Sequence, residues 1–376
     1  MRTRISLAAI AVLAVCGAVA QNAPGERWQQ LYFYDELRMS LVINDFKMLT
    51  AKRGVAAGFF VDQKGKIKPT TLVTEDGGAH WSPTPVKEVG ISLFFVNENT
   101  GWLVTGKEID QTTDGGRTWR KINPLDDVER LYFASDQHGW AVGLHKKVYE
   151  TSDGGKEWRE VPAAATPQSS PENTVYNWID FAGANLGIIT GANLAPSRSL
   201  DGLPEWMNPE RPRFQREAPR VSILLQTRDG GKNWDATTGS IFGHISRVRL
   251  SLAGFGLGLI EFNEGFDFPS EVFRIDWTTG KSERVFRDKN RLITDLAVPP
   301  TGPTYLAGIE KLDRLTDSPI PGKVKILRSD DLTNWQEMTV DYRATAHRVM
   351  ISAVDDRNIW AATDTGMILK LTLSSR

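Results

Sequence analysis

Site chemistry needs nucleophiles, paired acids, metal ligands or phosphate cradles, and this chain offers few of them. Its five histidines, His80, His138, His145, His244 and His347, include no pair at metal-ligand spacing. Cys16 is the only cysteine, and no nucleophile-elbow serine motif occurs. Gly101-Trp102-Leu103-Val104-Thr105-Gly106-Lys107 matches most of a phosphate-binding loop, but Glu108 stands where Ser or Thr must follow. Glu261, Glu264 and Asp267 form an acidic loop interleaved with Phe262, Phe266 and Phe268. Paired carboxylates are what glycoside hydrolysis requires, although loop carboxylates are ordinarily just solvated. Arg220, Arg247 and Arg249 could bind an anionic group, but no spacing selects them. No cofactor and no metal is expected.

Residues suited to binding are easier to find. Trp206-Met207-Asn208-Pro209-Glu210-Arg211-Pro212-Arg213-Phe214-Gln215-Arg216 concentrates aromatic and arginine side chains, the usual anchors of a protein interface. Trp206, Arg211, Arg213, Phe214 and Arg216 are therefore the candidate partner-binding residues. The alternative for this stretch is a proline-stiffened loop folded over its own domain.

These candidates must be positioned by a repeat. Thr113-Asp114-Gly115-Gly116-Arg117-Thr118-Trp119 recurs as Glu75-Asp76-Gly77-Gly78-Ala79-His80-Trp81, Ser152-Asp153-Gly154-Gly155-Lys156-Glu157-Trp158 and Arg228-Asp229-Gly230-Gly231-Lys232-Asn233-Trp234. A worn copy, Ser329-Asp330-Asp331-Leu332-Thr333-Asn334-Trp335, makes a fifth, and in each an Asp stands five residues before a Trp. Asp fixes a turn by accepting backbone N–H bonds, Gly supplies positive φ, and Trp packs. A structural role is sufficient, and the copies fall in separate turns, so their carboxylates cannot converge on one ligand.

From Ile91 the chain reads as four short strands joined by polar turns, ending in the Asp-Gly-Gly turn, and from Arg130 the plan repeats. Gly101-Trp102 and Gly139-Trp140 are 38 residues apart, and Asp114 and Asp153 are 39 apart. A four-stranded unit with a period near 40 is a β-propeller blade. Longer units run from Leu41 to Val86, Thr174 to Thr237, Ile245 to Phe286 and Leu292 to Val340. The last, Arg348 to Leu373, has only three strands. Arg27 to Phe33 has no blade of its own and is expected to supply the missing outer strand. The fold class is all-β: one seven-bladed propeller of four-stranded antiparallel blades, residues 21–376, with the ring closed by the N-terminal strand.

The box Thr113 to Trp119 resembles the Asp-box, or bacterial neuraminidase repeat, of sialidases, sortilin-type receptors and several glycosidases. With Gly139-Trp140-Ala141-Val142-Gly143 leading into Thr151 to Trp158, the fuller unit resembles the photosystem II assembly and stability factor family. That resemblance is strong over Ile91 to Val161 and patchy elsewhere. It implies a seven-bladed, exported propeller with a binding or assembly-helper role and brings no catalytic motif. The Arg-Ile-Pro stretch of sialidases is absent.

Residues 1–20 read as a signal peptide: Arg2 and Arg4, an apolar run from Ile5 to Val19, then Ala18-Val19-Ala20. Cleavage near Ala20 gives a periplasmic or secreted chain without cysteine, whose formal charge goes from −1 to −3 by loss of two arginines. Leu13-Ala14-Val15-Cys16 approximates a lipoprotein site, with Val15 bulky where a small residue is wanted. The near-balanced charge implies no nucleic-acid partner, and no membrane span follows the leader.

In each blade, lettered A to D by strand, the boxes are C–D turns. The insertions Gln63 to Thr70, Asn193 to Arg220, Glu261 to Ser270 and Glu310 to Lys323 all fall between B and C, on the opposite face. Loops on a rigid scaffold carry binding, so that face is expected to dock a protein or peptide, possession of glycoside hydrolase activity being the alternative.

Overall fold

The computed structural model describes residues 26–373 apart from 37, 195–218, 263–265, 278, 312–319, 321 and 342. Runs of β-branched and aromatic residues broken by Gly, Asn and Asp give short strands, and among the described residues the only helical elements are two 3₁₀ turns, Pro162–Ala165 and Pro171–Asn173. The strands pair into seven sheets, six of four strands and one of five. In blade 1 the spatial order is Met39–Met48, Gly54–Asp62, Ile67–Thr74 and Ser82–Pro85. The inner strands of blades 2 to 7 are Gly90–Phe95, Val128–Phe133, Thr174–Ala182, Gly243–Leu250, Arg291–Ala297 and Val349–Ala353. The seven-bladed propeller expected from the repeat is thus the fold.

Closure occurs as the missing strand required. Glu26–Phe33 pairs antiparallel with Met367–Leu373 as the outer strand of blade 7, with Trp28 opposite Leu371. One addition was not anticipated. Thr339–Val340, at the end of blade 6, pairs in parallel with Glu26–Phe33 and covers its outer edge, making the five-stranded sheet. Trp28 is buried between the two blades, set edge-on to Tyr305 with its Nε1 directed at the Met338 sulfur.

The box works as a hydrogen-bonded turn, with one participant the motif did not reveal. In blade 2, Asp114 Oδ1 accepts the Thr118 N–H at 2.9 Å and Oδ2 accepts the Thr118 hydroxyl at 2.6 Å. Buried Thr112 completes the turn: its Oγ1 donates to Asp114 Oδ1 and accepts the Gly116 N–H, both within 2.9 Å. Thr74, Thr151 and Thr227 repeat this arrangement. Gly115 and Gly116 lie at φ of 74° and 89°, and a Cβ on Gly115 would meet the Glu98 carbonyl oxygen at 2.8 Å.

In the worn copy the working carboxylate is Asp331, four residues before the Trp. It accepts the Thr333 and Asn334 N–H groups and the Ser329 hydroxyl, whereas Asp330 pairs with Arg328. One residue has been lost from the turn, and Leu332 takes the positive φ of 62° in place of glycine.

Backbone bonds fix the two faces. The Gly77, Gly115, Gly154 and Gly230 N–H groups donate to Lys52, Asn99, Gln137 and Asn185 carbonyls, each in the A–B turn of the same blade. The boxes and A–B turns therefore share one face, and the B–C insertions lie on the other. Gln63 to Thr70 is not a loop, however. The strands of blade 1 extend to Asp62 and resume at Ile67, because Asp62 accepts the Lys64 and Lys66 N–H groups and closes a tight hairpin.

Candidate functional site

The inner strands surround a central cavity of about 620 Å³. Six of them carry a register shift at the same place, between Ile43 and Asp45, Gly90 and Ser92, Val128 and Arg130, Tyr176 and Trp178, Ile245 and Arg247, and Ile293 and Asp295. A bulge inserts one unpaired residue and re-aims the side chains around it. Three of the extra residues tie blade to blade: Asn44 donates to the Gly90 carbonyl, Asn177 to Ile245 and Thr294 to Val349, all within 2.9 Å.

Carboxylates strengthen the same seams. Asp45 accepts the Leu93 N–H at 2.8 Å, Asp180 that of Leu250 at 2.8 Å and Asp295 that of Ile351 at 3.0 Å, each on the next blade. Asp45 and Asp295 spend the other oxygen on the Phe46 and Leu296 N–H groups. These acids line the cavity with their acceptor capacity largely committed to backbone.

The cations are placed differently. The guanidinium carbons of Arg130, Arg247 and Arg249 lie 3.9, 4.4 and 4.7 Å from the ring centroid of buried Trp178. The negative faces of an indole attract cations, and the bulges aim arginine side chains from two blades at the Trp of a third. Their ion pairs are long: Arg130 reaches Asp45 at 3.8 Å, while Arg247 and Arg249 reach Asp295 at 3.7 and 3.8 Å. Arg247 donates to the Ser246 carbonyl at 2.7 Å, and Arg249 to that of Leu296 at 3.4 Å. Each guanidinium carries five N–H donors, so most remain for a ligand.

Over the whole lining, five cations (Lys47, Arg130, Arg247, Arg249, Arg348) face five carboxylates (Asp45, Glu129, Asp180, Glu261, Asp295). Balance in charge is not balance in hydrogen bonding. Burial lowers the Arg130 pKa to about 10, with the Asp45 charge opposing the fall, and lowers that of Arg247. Both stay charged at neutral pH. Burial also pushes Lys47 down and Asp180 up, so each leans towards its neutral form. What the centre offers is a donor-rich, positively charged platform around Trp178, suited to a carboxylate or another acceptor-rich group.

Arg247 and Arg249, considered from sequence, thus do share a site, whereas Arg220 begins the third strand of blade 4. Arg130 was missed. It reads as one residue of an ordinary strand until the bulge is known. Of the acidic loop, Glu261 lines the cavity, Asp267 is exposed and pairs with Lys289 at 3.4 Å, and Glu264 lies outside the described residues. Trp206, Arg211, Arg213, Phe214 and Arg216 also lie outside the described residues. The insertion face presents exposed Phe33, Ile67, Leu194 and Phe242, the last 5.3 Å from Phe266. Among the described residues no group of three potential ligands could hold a metal ion, and no helix is long and apolar enough to cross a membrane.

A family model described as photosynthesis system II assembly factor YCF48 matches residues 123–208. No curated protein sequence matches the chain. Among solved structures, one described as YCF48 bound to D1 peptide is 17% identical with a TM-score of 0.59, over 95% of this chain and 99% of that one. YCF48 from Cyanidioschyzon merolae is 14% identical with a TM-score of 0.57, over 92% and 98%. A GH74 xyloglucanase from Xanthomonas campestris is 12% identical with a TM-score of 0.63, over 92% of this chain and 53% of its own. At such identities the structural likeness concerns the fold. The chain is an Asp-box β-propeller that resembles the photosystem II assembly factors.

Proposed function

We propose that this propeller is an exported binding module, an assembly helper that holds a peptide segment of a protein partner such as a membrane-complex subunit, with an acidic group or chain terminus seated at Arg130, Arg247 and Arg249. The observation that carries this reading is the convergence of three guanidinium groups on Trp178 inside a cavity whose three aspartates are bonded to backbone amides. A D1 peptide bound to YCF48, a propeller of the same fold, supports a peptide as ligand. The insertion face, with Trp206, Arg211, Arg213, Phe214 and Arg216, is the proposed platform for the rest of the partner. Export rests on the Arg2 to Ala20 leader.

The test compares one peptide library synthesised with free and with amidated C-termini. Binding that is equally strong for both forms, and insensitive to acidic residues, overturns the cavity assignment. Exchanging Arg211 and Arg213 for Glu tests the platform separately: a folded variant that recovers the same partners removes it.

Glycoside hydrolysis is the second reading, favoured by the GH74 fold likeness. Asp45 and Asp295 speak against it, because a general acid or nucleophile needs an oxygen turned to substrate, and theirs are held by amides. Release of oligosaccharide from xyloglucan by the purified chain would reinstate it.

A further inference from the structure

Five blades place a tryptophan immediately before the outer strand: Trp81, Trp119, Trp158, Trp234 and Trp335. Each ring packs into the seam with the preceding blade. Trp119 stands edge-on to Phe95 and bonds Thr71 of blade 1, Trp234 stands edge-on to Trp140 of blade 3, and Trp335 stands edge-on to Phe286 of blade 5. Blade 5 breaks the series. Its outer strand starts at Ser282 opposite Ile275, as Arg120 starts opposite Gln111 and Asp235 opposite Gln226. The tryptophan position therefore falls to Lys281, which is exposed.

Trp277 packs in the same seam, against Trp178 and Ile188 of blade 4, but its ring takes a different place. A Cβ on Gly256 would meet the Trp277 ring at 2.3 Å, the place that Phe95, Phe133 and Phe181 take against Gly101, Gly139 and Gly187. The indole slot between blades 4 and 5 is left as a cavity of about 320 Å³, walled by Ile188, Leu224, Ile260, Phe273 and Ile275. Trp277 also lines it, with a buried Nε1 that has no hydrogen-bond partner. Gln226, Arg228 and Ser282 add polar side chains to the lining, and Arg228 donates to the Trp277 carbonyl at 3.2 Å. Protein interiors seldom leave voids much larger than a water molecule, and an apolar cavity of about 150 Å³ already takes up benzene.

We propose that this seam is a second binding site, for a small molecule carrying a planar two-ring aromatic of indole size. The ligand's ring stands where the other boxed blades seat their own tryptophan, and a polar substituent meets the Trp277 N–H and Arg228. The site is separate from the central arginines and does not depend on their role.

Titration calorimetry of the intact chain with indole tests it. Saturable one-to-one binding is expected. Two variants close the slot from opposite walls. Lys281→Trp restores the missing ring from the outer strand, and Gly258→Leu enters from the other side, where a Cβ meets only Ile275 at 3.2 Å. Both should weaken indole binding at least tenfold while circular dichroism stays that of the parent. Retention of parental affinity by either folded variant, or no saturable binding by the parent up to the solubility of indole, overturns the proposal.

Discussion

Replacing Thr112 by Val tests whether the box is a structural turn whose threonine matters as much as its aspartate. The exchange nearly conserves shape, so no cavity term enters. Two strong interactions are lost, together with a longer bond from the Asp114 N–H at 3.3 Å that adds little. The buried Gly116 N–H loses its acceptor at 2.9 Å, and an unsatisfied buried amide costs about 1–3 kcal/mol. Asp114 loses the hydroxyl at 2.8 Å, a charge-assisted bond that surrounding water partly replaces, worth about 1 kcal/mol. The sum is about 2–4 kcal/mol. At about 1.4 kcal/mol per decade, amide exchange at Gly116 should quicken by roughly 30- to 700-fold. Exposed Thr113, exchanged for Val, is the control. Hydrogen exchange and urea unfolding read both effects. If Thr112→Val stays within about 0.5 kcal/mol of Thr113→Val, the threonine is not part of the turn and the reasoning fails.

Trp28→Ala should cost about 3–5 kcal/mol, since a fully buried ring between blades 6 and 7 is removed. Exchange should quicken first across Met367–Leu373, and protection there equal to the parent's would contradict the assigned closure. Acid should also loosen the boxes. Backbone and side-chain bonds from His80 hold Asp76 down to about 2, and bonds from Asn233 do the same for Asp229. A folded-state pKa below the unfolded one stabilises above about pH 4 and is lost as pH falls towards 2. The melting temperature should therefore drop across that window. Asp229→Asn, destabilised at neutral pH, should show a shallower drop; a parallel curve would detach the effect from the boxes.

The blade count and the closing strand were legible because turn chemistry is local. Asp, Gly-Gly and Trp at fixed offsets announce each C–D turn, and a three-stranded final blade demands a partner from elsewhere. The site was legible only in part. A bulge is a one-residue shift in pairing that depends on the neighbouring strand, so nothing in Arg130-Leu131-Tyr132-Phe133 distinguishes an inward arginine from an outward one. Arg247 and Arg249 could be named but not chosen, since the Trp178 that collects them lies on another blade. In the worn box a deleted residue moves the working carboxylate from Asp330 to Asp331, which spacing to Trp335 alone cannot reveal. Lys281 carried a signal that went unused, as a repeat that lacks its tryptophan marks a seam with nothing to fill it.

The closing strand sets an order of events. Arg27 pairs with Thr372, so the propeller's earliest strand is the last to find its partner, across nearly the whole length of the domain. Loop closure over such a separation is slow compared with forming hairpins inside each blade. Until it happens the ring is an open arc with an unsatisfied edge on Met367–Leu373 and a loose strand at the far end. Those two ends are complementary, so a second arc can supply the strand as well as the chain itself can. Raising concentration during refolding is therefore expected to favour strand-exchanged chains, and dilution the closed ring.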